Sequence, residues 1–214
     1  MKTLGELLDD SDPALPVVRE WVANAARPVE LLPPSADRGE LLVRTQVTTR
    51  SPMGAVVHET GGILVDHGWL RILGSGHPRL TRTLPGWNQD RGNGFYLVAD
   101  DAVGGFFVIN GGTLGTDPGN LYYFAPDSLE WEPLGFGYSV FLQWVFSEKY
   151  SQFSEGLRWL GWESAVAALS GDRCVMSYPP LWTKESANSP KRFEVPVEET
   201  WGSQMDVAQQ LKSK

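Results

Sequence analysis

Ser75 and His77 stand two residues apart in the string Leu73-Gly-Ser-Gly-His-Pro78, and a hydroxyl beside an imidazole is the raw material of a nucleophile with its general base. That chemistry needs the two groups within hydrogen-bond reach, which residues so spaced rarely achieve in a strand or a turn. The chain also lacks a Gly-x-Ser-x-Gly elbow, so the string reads as a turn beside a pocket. His58, His67 and His77 with Asp66 would supply three imidazoles and a carboxylate, but their spacing matches no compact metal-ligand pattern. Asp100 and Asp101 invite an acid/base reading; adjacent strand residues project to opposite faces, so they cannot flank one bond. No Gly-Lys dipeptide exists for a Walker loop, and Gly74-x-Gly76 lacks the third glycine of a dinucleotide fingerprint. The expectation is a non-enzyme with no catalytic residue, no metal and no cofactor.

Local charge points to binding instead. From Arg71 to Gly94 the chain carries Arg71, Arg79, Arg82 and Arg91 against Asp90 alone, a net of +3 that leaves the remainder at -11 of the total -8. Arginine forks grip carboxylate or phosphate in a bidentate fashion, and Trp69 and Trp87 could wall a pocket. The candidate ligand-binding set is therefore Asp66, His67, Trp69, Arg71, Ser75, His77, Arg79 and Trp87, with a small anion or an acidic protein segment as occupant. Pairing of these arginines with the acidic remainder of the chain is the competing and simpler reading.

The elements that must position these residues are legible from period and punctuation. Thr3 with Glu6 forms a capping box, Asp12-Pro13 opens a helix with Val17, Val18, Trp21, Val22 and Ala25 on one face, and a third helix is predicted over Ala36 to Gln46. Short β-rich runs follow at Ile63–Val65, Trp69–Leu73, Phe95–Ala99, Val103–Ile109, Leu121–Phe124 and Leu129–Leu134, separated by Gly, Asp and Pro turns. Helical spacing returns at Tyr138–Val145, Phe153–Leu160 and Trp162–Leu169. A late strand over Cys174–Trp182, a polar loop over Lys184–Lys191 and a closing helix over Val197–Lys212 complete the chain. The fold class is α+β: one domain over residues 1–214, with a mainly antiparallel sheet of about five to seven strands packed against N-terminal and C-terminal helices.

Composition sets the compartment and the partners. With 42% hydrophobic residues and 9 Trp in 214 residues, the chain has ample core for independent folding. Its net charge of -8 repels a phosphate backbone, so nucleic acid is not an expected partner. The lone Cys174 allows no internal disulfide and fits a reducing interior, as a buried strand thiol. Glu6, Asp9 and Asp10 interrupt any leader-like apolar run, and the longest uncharged stretches, Ala102–Thr116 and Pro133–Ser147, are too short to span a bilayer. A cytoplasmic protein without membrane contact is expected.

The strings Thr49–Ala55, Thr60–Gly76, Val98–Phe107 and Tyr123–Trp131 resemble, over nearly the whole chain, a bacterial family catalogued as domain of unknown function number 2625, which implies no activity. From about Gly94 to Gly161, Gly-Gly-Phe-Phe, Tyr-Tyr-Phe-Ala-Pro-Asp, Leu-Glu-Trp-Glu and the aromatic segment Tyr138–Trp144 are similar to the SUKH superfamily of non-enzymatic α+β domains, among them bacterial immunity proteins. That similarity implies a protein-binding role, as an immunity-type partner of a toxin. The alternatives are a small anionic-ligand sensor or enzyme using Asp66–Asn88, and an oligomer-forming structural protein.

Overall fold

In the computed structural model, which describes residues 1–91, 94–187 and 190–213, α1 (Leu4–Leu7) and α2 (Leu15–Ala23) precede an edge strand β1 (Val29–Leu32). Next come α3 (Arg38–Thr45), α4 (Pro52–Glu59), β2 (Gly62–Val65), β3 (Leu70–Leu73) and α5 (Leu84–Trp87). Strands β4 (Phe95–Asp101), β5 (Phe106–Asn110), β6 (Leu121–Phe124) and β7 (Trp131–Pro133) lead to α6 (Tyr138–Val145), α7 (Glu148–Ser154) and α8 (Trp162–Ala168). The chain closes with β8 (Arg173–Tyr178), β9 (Lys191–Pro196) and α9 (Val197–Lys212). The architecture is the expected α+β, with a seven-stranded antiparallel sheet in the order β1 to β7 and a separate β8–β9 hairpin.

Sequential strand order means that strands adjacent in the chain are adjacent in the sheet, even where α3 and α4 intervene between β1 and β2 and α5 between β3 and β4. Register then fixes what each face carries. Leu64, Arg71, Asp100, Phe106, Phe124 and Trp131 lie in one row across β2 to β7, and directly opposed residues share a face. This face receives α9, whose Trp201 packs edge-on against Phe106 at 4.9 Å between ring centroids, and the β8–β9 hairpin. On the other face Phe107 and Tyr123 meet the aromatics of α6 and α7, Phe107 against Phe141 at 5.2 Å and Tyr123 against Phe153 at 5.0 Å. Each such ring buried completely contributes about 1.5–3 kcal/mol of hydrophobic stabilisation. A register shift between Leu97 and Ala99 lets Phe95, five residues before Asp100, still face Trp131 and Trp201.

Several elements differ from their sequence reading. The N-terminal third is not wholly helical: Val29–Leu32 forms β1, a strand too short for period-two alternation to show, enclosed by Pro28 and Pro33. Helix α4 was not expected; Ser51 caps it by accepting from the Gly54 N–H at 3.0 Å, with Pro52 in its first turn. Leu129 belongs to the turn before β7, not to the strand, with φ of 58°. The predicted strand over Cys174–Trp182 ends at Tyr178, and the predicted polar loop gives way at Lys191 to β9. Residues 188 and 189 of that loop lie outside the described residues, as do 92 and 93 of the basic segment. Among the described residues, no helix is long and apolar enough to cross a membrane.

Candidate functional site

The candidate residues divide between three clefts and the ion networks beneath them. The β2–β3 connection reverses the chain in four residues, Asp66 to Trp69, of which Asp66, His67 and Gly68 are at positive φ (53°, 62° and 91°). Positive φ is costly for residues with a Cβ, and here Asp66 is held by its own side chain. Its Oδ2 accepts from Arg27 Nη1 at 2.9 Å and Arg158 Nη2 at 2.6 Å. Arg158 in turn lies over the rings of Trp162 (4.2 Å) and Trp69 (5.2 Å). Asp66 and Trp69 are buried in this support, while His67 is left exposed at the apex.

A second network lies under the row of face-sharing residues. Arg71, 1% exposed, donates through Nε (2.7 Å) and Nη2 to Asp100 Oδ1, and further to the carbonyls of Asp101 and Arg173. Arg82 holds the other Asp100 oxygen and reaches Asp172 Oδ1 at 3.1 Å, while Asp172 Oδ2 accepts from the N–H and hydroxyl of Thr81. The chain thus clamps the loop after β3 and the residues before β8 onto the sheet. Burial alone would raise the Asp172 carboxyl, but the Thr81 donors and Arg82 outweigh it and hold it below the ordinary carboxylate range. Burial pushes the Cys174 thiol up to about 11, against the pull of Arg71, so it is neutral and unreactive.

Asp101, next in sequence, points to the opposite face. Its Oδ2 accepts from the Tyr123 hydroxyl at 2.7 Å and its Oδ1 from the N–H groups of Val103 and Gly105. Complete burial raises its carboxyl above the usual range, and these donors only partly offset that. Tyr123 is raised well above 10.0 by the same burial and by the carboxylate beside it. The pair fixes the β4–β5 turn and meets none of the clefts described below.

All four arginines of the basic segment are therefore paired within the chain: Arg71 and Arg82 with Asp100, Arg79 with Glu30 at 2.6 Å, and Arg91 with Glu198. The intramolecular reading of the charge asymmetry holds. Trp87 is largely buried between Arg82 and Arg91, which lie 4.9 and 4.2 Å from its ring centroid, and with them it lines a cleft of about 480 Å³ bounded by Thr83, Gly86 and Glu198. Ser75 is buried; its Oγ donates to the Thr60 carbonyl and accepts from the Ser35 N–H, so it is not poised on His77. Among the described residues, no three His, Cys, Asp or Glu side chains converge as a metal site would need.

Accessible surface remains on either side of the tight turn His77–Leu80. One cleft, about 330 Å³, runs between His67, Leu64, Pro78 and Arg79 and the chain from Val166 to Gly171, with Arg71 at its base. It continues past Glu30 and Val29 of β1. The other cleft, about 490 Å³, lies between Gly76–Pro78 and the face of α3 carrying Asp37, Glu40, Leu41 and Arg44. Of the eight candidate residues, His67, His77 and Arg79 thus reach solvent at cleft rims, Arg71 and Ser75 lie at the bases, Trp87 lines the cleft beside Arg82 and Arg91, and Asp66 and Trp69 are supporting structure. Glu30, Ser35 and Asp172 were missed because no local pattern links them to a segment 40 to 90 residues away in the chain.

The family model for proteins of unknown function DUF2625 matches residues 4–200. The chain belongs to this family. YbfG, an uncharacterised protein of Escherichia coli K12, is 43% identical over 208 residues, 95% of this chain and 96% of its own length. An uncharacterised protein of Haemophilus influenzae Rd is 39% identical over 189 residues, 85% of this chain and 83% of its own. No solved structure matches the DUF2625 chain. The sequence resemblance to DUF2625 is thereby established, whereas nothing in these comparisons speaks to the SUKH similarity.

Proposed function

We propose that this DUF2625 protein binds without catalysis, and that the cleft between His67, Arg79 and the segment Val166–Gly171 seats a small anionic group. The observation that carries this reading is Arg79. It is the most exposed arginine of the basic segment, and at the cleft rim its side chain is held, among the described residues, by the equally exposed Glu30 alone. An exposed pair of this kind contributes under about 1 kcal/mol, so a ligand carboxylate or phosphate can replace Glu30 at little cost. His67 adds a second donor at the rim, and Ser170 lines the wall opposite.

Thermal-shift measurements against phosphate, sulfate and small di- and tricarboxylates test it. A ligand at 100 times its dissociation constant adds about 2.7 kcal/mol of stability, and this gain is expected to disappear in Arg79→Ala. Absence of any anion-dependent shift in the wild-type protein, or an undiminished one in Arg79→Ala, refutes the reading.

A protein partner of the immunity type is the second reading, favoured by the β8–β9 hairpin. Tyr178 and Phe193 are 68% and 49% exposed and occupy diagonal positions on one hairpin face. Large aromatics left in water on a projecting strand pair are what interface cores are made from. Tyr178→Ser with Phe193→Ser is expected to abolish capture of a partner from host extract while leaving the anion response intact.

A further inference from the structure

We infer that the second cleft is a separate site for the zwitterionic ends of a short peptide of two or three residues. Its long wall is one face of α3, where Asp37, Glu40 and Arg44 follow at intervals of three and four. Both carboxylates are exposed and neither has a hydrogen-bond or ion-pair partner among the described residues. Asp37 is the residue before the first helical position, where an aspartate ordinarily turns back to accept from the helix amides, yet its side chain makes no such bond. Arg44 at the far end donates to the neutral Gln89 side chain, at 3.2 Å, and has no carboxylate partner among the described residues. The wall therefore offers two unneutralised negative groups at one end and a cation without a carboxylate at the other.

Spacing selects the ligand. From Asp37 to Arg44 the helix rises seven residues, about 10 Å, a longer span than that between the ammonium and carboxylate of a single α-amino acid. An extended peptide of two or three residues spans about 7–10 Å. The base and opposite wall supply the groups its amides need. Ser35 Oγ is buried and has no partner among the described residues, so it can both donate and accept. His77 Nδ1 accepts the Arg79 N–H at 3.2 Å, which places the ring proton on Nε2 and makes that atom a donor. At about 490 Å³ the cleft lies within the size range of small-molecule sites.

Calorimetric titration of the full chain with triglycine, its N-acetyl form and its C-terminal amide decides the matter. Saturable binding of triglycine is expected, weakened about tenfold or more by either cap. Asp37→Asn with Glu40→Gln should erase the discrimination against acetylation, and Arg44→Gln that against the amide. Amide resonance shifts should fall on Ser35, Gly76 and His77. The inference is overturned by any of three results: no saturable binding up to about 10 mM peptide, capped forms that bind as well as the free peptide, or resonance shifts confined to the His67 and Arg79 cleft.

Discussion

Asp100 and Asp101, consecutive in β4, send their carboxylates to opposite faces of the sheet, one into the grip of Arg71 and Arg82 and the other beneath the Tyr123 hydroxyl. Strand geometry makes this separation unavoidable, and the surrounding sequence turns it to use. Each carboxylate is fully buried and each ties down a different part of the chain. Asp100 joins the loop after β3 to the C-terminal hairpin; Asp101 closes the β4–β5 turn.

Removing Asp100 leaves the buried Arg71 without a carboxylate, whereas removing Arg71 leaves Asp100 to Arg82 alone. Asp100→Ala is expected to cost about 3–5 kcal/mol in urea unfolding, and Arg71→Met less, because Arg82 still holds Asp100. Combined, they should cost less than the sum of the two, since the double variant removes Arg71 with its carboxylate and leaves Arg82 paired to Asp172.

Tyr123→Phe deletes the strongest donor to a carboxylate that burial already disfavours. A loss of about 1–3 kcal/mol is expected from leaving that acceptor undersatisfied, measurable by chemical denaturation. An unchanged midpoint would show that the Val103 and Gly105 amides suffice for Asp101.

Gly105→Ala places a methyl group directly against Asp101 Oδ2 and the Tyr123 hydroxyl. Neither atom can retreat without breaking the hydrogen bond between them, so overpacking of about 1–3 kcal/mol is expected. Gly68→Ala meets no neighbouring atom, and its cost comes from a φ of 91° alone, which makes it the control for steric against conformational effects.

How far these contacts were legible depends on their separation in sequence. Helix α9 was predicted over Val197–Lys212 and found there, and the capping pair Thr3 and Glu6 is formed, with Thr3 donating to the Glu6 carboxylate at 2.8 Å. Strands β2 to β6 follow from Gly and Asp punctuation around β-branched and aromatic runs. β9 was not legible, because Lys191, Arg192 and Glu194 make its exposed face read as loop. Arginines with acidic counterparts were visible as a charge asymmetry, but the partners Asp172 and Glu198 lie 90 and 107 residues away from Arg82 and Arg91, beyond any periodic signal.

The Asp172 carboxyl sits below its ordinary value near 3.8, so its stabilising contribution is complete above the carboxylate range and fades as pH falls through its folded-state titration. Asp172→Asn should therefore be less stable than wild type near neutrality, and the gap should close on acidification. A gap of constant size from neutral to strongly acid pH, followed by thermal midpoints, would mean that Asp172 acts through shape and not charge.

Both borders of the seven-stranded sheet are closed to growth by their own residues. β1 is four residues long between Pro28 and Pro33, and β7 is three residues ending in Pro133 beside Glu132. Short, proline-flanked and charged margins resist the addition of a foreign strand. The protein should accordingly stay free of fibrils in concentrated solution, and replacing Pro33 and Pro133 together by valine should bring thioflavin-positive aggregates at concentrations the parent tolerates.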